Sequence, residues 1–100
     1  MGAILLRREK YVDTDGDLVE LVFWQVPRSA AYPDGIRYRL AFLRARTKRP
    51  AVLYDNHHPK GHHRHHGAVQ VKYTFTTVDQ LMADFLGDVQ RAKARRTEGS

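Results

Sequence analysis

The hydrophobic pattern of this 100-residue chain changes period once, at Thr77, and that change restricts it to a sheet followed by a helix. Upstream, Ile36, Tyr38, Leu40 and Phe42 alternate with Arg37, Arg39, Ala41 and Leu43, and Val69, Val71, Tyr73 and Phe75 alternate with Gln70, Lys72 and Thr74. A period of two sends successive side chains to opposite faces of a strand. Downstream, Val78, Leu81, Met82, Phe85, Leu86 and Val89 recur at the three- and four-residue spacing of a helix laid on a sheet. Thr77 and Gln80 have the separation of a capping box, in which each side chain satisfies a free donor at a helix start, so the helix is expected to begin at Val78.

The remaining strands follow from turn chemistry. Ile4 to Val12 and Leu18 to Val26 flank Asp13-Thr14-Asp15-Gly16-Asp17, an Asp-Gly hairpin signal. On the second strand Val19, Leu21 and Phe23 point one way and Val22, Trp24 and Val26 the other, which predicts a central strand covered on both faces. Pro27 ends it, and Pro33-Asp34-Gly35 marks the next turn. A short fourth strand, Ala51 to Tyr54, and a fifth, Ala68 to Thr74, are joined by the segment that holds all six histidines. The expected fold is α+β: an antiparallel sheet of about five strands with one C-terminal helix packed on one face. It is expected to occupy residues 1–92 as one domain, with 93–100 as a flexible basic tail.

Other features narrow the class. A chain of this length supports one modest core. There is no cysteine, so disulfides and thiolate-bound zinc are excluded, which accords with a reducing, cytoplasmic location. No apolar run reaches the roughly 18 residues of a membrane span, and the N-terminal run is short for a signal peptide. Charge is concentrated: residues 35–72 carry nine Lys/Arg against Asp55 alone. Such a field attracts a polyanion, with RNA or DNA first and an acidic protein second.

His57, His58, His62, His63, His65 and His66 fall within ten positions of that basic segment. Histidine exchanges a proton near neutral pH and also ligates metals. Cleaving RNA through its own 2′-hydroxyl needs a base, an acid and cations for the phosphoryl oxygens. On an extended chain His63 and His65 project to one side, roughly 6.5 to 7 Å apart, which suits opposite sides of a phosphate. Lys60 is placed to neutralise that phosphate and Asp55 to orient a histidine. Arg37, Arg39, Lys60, Arg64, Tyr54 and Asn56 are the candidate nucleic-acid contacts. No metal or other cofactor is required. A metal centre is the chemical rival, although one short loop with Asp55 as its single carboxylate makes a poor cage. A solvated basic loop is the bland reading.

The series Tyr38-Arg39-Leu40, Tyr54-Asp55-Asn56, Lys60-Gly61, His63-Arg64-His65, Tyr73-Thr74-Phe75 and Ala83-Asp84-Phe85 resembles the TumE-type toxins of prokaryotic toxin-antitoxin modules. The likeness spans most of the chain. His62 stands where the family usually has aspartate after Lys-Gly. The resemblance implies a toxin held inactive by a cognate antitoxin protein, and leaves its chemistry open. One alternative is an endoribonuclease acting on RNA, free or on the ribosome. The other is a toxin without chemistry that binds nucleic acid or protein. A second copy of the chain is a further candidate partner.

Overall fold

The computed structural model describes residues 2–98. Within them the chain forms β1 (Ile4–Val12), β2 (Leu18–Gln25), β3 (Ile36–Leu43), β4 (Val52–Asp55), β5 (His63–His66) and β6 (Val69–Lys72), followed by α1 (Val78–Glu98). The strands make one antiparallel sheet in sequence order, each paired with the next. The expected α+β architecture holds, with six strands in place of about five. The additional strand is β5. His63-Arg64-His65-His66 alternates between faces and pairs with both β4 and β6, and Gly67, at φ +60°, turns the chain back between β5 and β6. Positive φ costs glycine little, which is why the turn can be this tight.

Local chemistry accounts for the boundaries. Between β1 and β2, the Asp13 carboxylate accepts the Asp15 and Asp17 amides at 2.9 and 3.1 Å, folding the turn before the strands pair. Thr77 Oγ1 accepts the Gln80 amide at 3.1 Å, so the helix starts where the spacing placed it, but the Gln80 side chain donates to Asp84 at 2.8 Å and the reciprocal half of the box does not form. The helix then continues to Glu98, through most of the segment expected as a tail; the last two residues lie outside the described ones. Lys93 helps to hold it down. Its ammonium lies 2.8, 2.7 and 2.9 Å from carboxylates of Asp13, Asp15 and Asp17, tying the helix to the first turn.

The core lies between the helix and one face of the sheet. Val19, Leu21 and Phe23 of β2, Tyr38, Leu40 and Phe42 of β3, and Val52 and Tyr54 of β4 are buried against Leu81, Phe85, Val89 and Ala92. Phe85 meets Tyr54 edge-on with ring centres 5.8 Å apart, an arrangement that aromatic quadrupoles favour. Leu86, read from its spacing as part of the stripe, is 43% exposed and lies outside this contact. β2 is covered on one side only. Val22 and Trp24 are half-buried on the face opposite the helix, because the single helix of the described residues packs against the other face.

Candidate functional site

Sheet register assembles the site. On the face away from the helix, direct cross-strand neighbours run Arg8, Val22, Arg39, Asp55, His63 and Lys72, one from each strand in order. A second row runs Lys10, Glu20, Ala41, Leu53, His65 and Gln70. Directly opposed residues share a face, so residues far apart in sequence become neighbours about 5 Å apart. Polar residues are common here because no helix among the described residues covers them.

Within the first row, His63 is the most constrained side chain. Its Nε2 lies 3.1 Å from Asp55 Oδ1 and its Nδ1 is 2.8 Å from the Gly61 carbonyl. An acceptor thus faces each ring nitrogen, and the pair holds the ring in one orientation. Gly61, at φ +71°, adopts the left-handed conformation that this sharp bend into β5 requires. The residue is 5% exposed, yet it sits under the β4–β5 loop and outside the apolar core. Asp55 Oδ1 also accepts the His57 amide at 3.1 Å, which fixes the carboxylate that faces the ring.

His65 stands beside it in a different setting. The two rings meet edge to face with centres 5.1 Å apart. Burial, then the neighbouring His63 and more weakly Lys60, lower the pKa of His65 below the ordinary histidine value, against a smaller opposing pull from Asp55. The neutral ring therefore dominates at pH 7. Lys60 donates from Nζ to Gln70 Oε1 at 3.3 Å, and Gln70 is the direct neighbour of His65 on β6. Asp55, Lys60, His63 and His65, with His57, His58 and Pro59, line one open cavity of about 300 Å³.

Arg37 and Arg39 share this face and are exposed, whereas Tyr54, Asn56 and Arg64 are not brought to it. Tyr54 is fully buried and donates its hydroxyl to Asp88, which together with burial pushes its pKa up. Asn56 is 3% exposed, accepts the Tyr38 amide at 2.9 Å and donates to the Ile36 carbonyl at 2.7 Å, joining the end of β4 to β3. Arg64 projects toward the helix, donating to Tyr54 Oη at 3.0 Å and stacking over Tyr54 and Tyr73. His66 follows it to that side and approaches Asp88 at 3.3 Å. Alternation in β5 thus separates two histidines from an arginine and a third histidine.

The remaining histidines have other surroundings. His62 lies flat on Phe75, with ring centres 4.8 Å apart, and spans from Tyr38 Oη at 2.9 Å to Asp34 at 3.0 Å. Its polar contacts tie the β4–β5 loop to β3 and the turn before it. Histidines are not the ligand set that geometry selects. Among the described residues, the group with ligand atoms close enough for one cation is Asp13, Asp15 and Asp17, where the Lys93 ammonium sits. Reading the sequence by segments missed Gln70 and His57 at the site. The signal that could have found Gln70 is register, since pairing β5 with β6 places it beside His65.

No helix among the described residues is long and apolar enough to cross a membrane. Comparison with protein families matches residues 3–93 to the family described as Toxin TumE. Searches of curated proteins and of solved structures return no match.

Proposed function

The chain belongs to the TumE toxin family, and on that premise we propose that it is a metal-independent endoribonuclease that cleaves RNA on the open face of its sheet. The observation that carries this reading is the pairing of two histidines in different surroundings. His65 is held neutral, and His63 next to it faces the Asp55 carboxylate and the Gly61 carbonyl, with Lys60 in the same cavity. Acid and base catalysis on one phosphate needs such a difference.

In the reaction, His65 takes the proton of a ribose 2′-hydroxyl and O2′ attacks the adjacent phosphorus. The P–O5′ bond breaks as His63 Nε2, turning from Asp55 toward O5′, delivers its proton there. The products are a 2′,3′-cyclic phosphate and a 5′-hydroxyl. The proton gained by His65 equals the one lost by His63, and exchange with water resets both. Lys60 and Arg39 stabilise the charge that builds on the nonbridging oxygens, while Asp55 keeps His63 oriented. Arg37 extends the phosphate track. Tyr54, Asn56 and Arg64 serve by holding β3, β4 and α1 in register. A cognate antitoxin protein would silence the toxin by covering this cationic face.

A second reading is a toxin that occupies RNA without cutting it. It draws on the engagement of both His63 nitrogens by Asp55 and Gly61, which must loosen before that ring can act as an acid. The two are separated by incubating purified protein with mixed-sequence RNA in excess chelator, with and without ribosomes, beside a His63→Ala, His65→Ala double variant. The expected result is cleavage with cyclic phosphate ends by the wild type, lost in the variant while RNA affinity remains. RNA binding without cleavage in either setting would move the conclusion to the occupying toxin.

A further inference from the structure

We infer that the cavity next to the histidine pair, floored by Val22 and Trp24, is a nucleobase subsite in which one unpaired base of the RNA stacks against Trp24. The inference rests on the RNA reading above and adds to it a base-binding role for the β2–β3 end of the open face. The cavity has a volume of about 400 Å³ and is lined by Val22, Trp24, Arg37, Tyr38, Arg39, Asp55 and His57. Asp55 and His57 also line the cavity that holds His63 and His65, so the two adjoin. Trp24 on β2 stands three strands from His63 on β5, roughly 14 Å across the sheet, so an RNA strand lying over the open face with its scissile phosphate at the histidines brings a base a nucleotide or two away to the indole.

Composition distinguishes this place from a plain basic surface. Trp24 is half-buried on a face that no helix among the described residues covers, although its sequence pattern placed it in a covered layer. A large indole left accessible in a short chain loses part of the apolar burial it could have contributed, and a planar ligand restores it. In the register, Arg37 is the direct neighbour of Trp24, and Arg39 that of Val22. A flat apolar floor bordered by cations is the combination that holds single-stranded nucleic acid, with stacking for the base and charge for its phosphates. The Arg8 guanidinium stands 5.9 Å from the indole centre. Being long and exposed on the β1 edge, it can swing aside or close over a bound base.

Trp24 is the only tryptophan of the chain, so its emission reports on the subsite directly. The probes are a single-stranded 2′-O-methyl oligonucleotide, whose blocked hydroxyl prevents cleavage, and an abasic strand with the same number of phosphates. Binding of each is followed by anisotropy of a label on the strand. The base-bearing strand is expected to quench Trp24 saturably, and the abasic strand to bind without that quenching. Trp24→Leu is expected to weaken the base-bearing strand roughly tenfold or more, with Trp24→Phe recovering part of the loss and neither change altering the abasic strand. Both strands binding with equal quenching or none would overturn the subsite and leave the RNA reading intact. Failure of both strands to bind folded wild type would overturn the RNA reading, and the subsite with it. Quenching is read in the unmodified protein, so the result does not depend on a variant folding.

Discussion

The two faces of the sheet are built from alternate residues of the same strands and have opposite character. Toward the helix, Leu40, Phe42, Val52 and Tyr54 have no measurable exposure and pack on Leu81 and Phe85. Away from it, their immediate neighbours include Arg39, Ala41, Leu53 and Asp55, and the row continues to His63 and Lys72. Polar groups occur on both faces, but they are used differently. Asp88, 2% exposed, is surrounded by Tyr54, Arg64, His66 and Arg91, an arrangement that engages these groups inside the fold. The His63 and His65 pair opens into a cavity instead. Titratable residues four positions apart or fewer can thus serve stability or chemistry according to which side of one strand they occupy.

Substitutions on the helix face should break the fold and those on the open face should spare it. The largest effect is expected at Phe85. Truncation to Ala removes the ring packed on Tyr54 and should cost about 3–5 kcal/mol in chemical denaturation, since a buried cavity relaxes incompletely. A loss under about 1 kcal/mol would show that the helix contributes little to the core.

Asp88→Asn comes next, at about 2–3 kcal/mol near neutral pH, because Arg64 and Arg91 lose their shared anion. The pH dependence has a definite sign. Burial alone would raise the Asp88 pKa, but hydrogen bonds from Tyr54 and Arg91 and the charges of His66 and Arg64 outweigh it and bring the pKa below 3.8. A depressed carboxylate stabilises the fold above its unfolded value and loses that contribution as pH falls through its folded one. The gap between wild type and Asp88→Asn should therefore narrow below about pH 3.8, as followed by thermal melts across an acid series.

Open-face arginines should give the smallest change in stability. Arg37→Ala and Arg39→Ala are each expected to stay within about 0.5 kcal/mol of wild type, as exposed positions usually do. Each should weaken RNA uniformly across sequences and reduce the salt slope of binding by about one charge. Unchanged salt dependence in the double variant would remove these residues from the RNA track.

How much of this was legible in the sequence depends on whether the relevant interaction is local. The helix start at Val78 was, because the cap is made by Thr77 and Gln80 within one turn. So was the Asp-Gly hairpin, whose bonds lie within Asp13 to Asp17. β5 was not recognised as a strand, since histidine-rich segments carry little strand propensity and its pairing is set by β4 and β6. The shared side of His63 and His65 followed from alternation alone, and Arg64 turned away for the same reason. Burial of Tyr54 and Asn56 needed knowledge of what lies above them: Asp88 is 34 positions from Tyr54, and Tyr38 is 18 from Asn56. The reading of β2 as doubly covered failed on a count of layers. Two apolar sides on a strand do not provide a second helix, and Trp24 was left accessible.

The most direct test of the division between faces uses adjacent residues of β5. His65 and His66 are consecutive, yet His65 lies beside His63 and Lys60 while His66 contacts Asp88. RNA cleavage in chelator and unfolding free energy are measured for His65→Ala and His66→Ala. The account predicts that His65→Ala lowers cleavage by about 10²- to 10⁴-fold, the usual contribution of a general base, at nearly wild-type stability. His66→Ala should lose about 1–2 kcal/mol of stability and retain cleavage. Equal losses of cleavage in both variants, or a loss confined to His66→Ala, would contradict it.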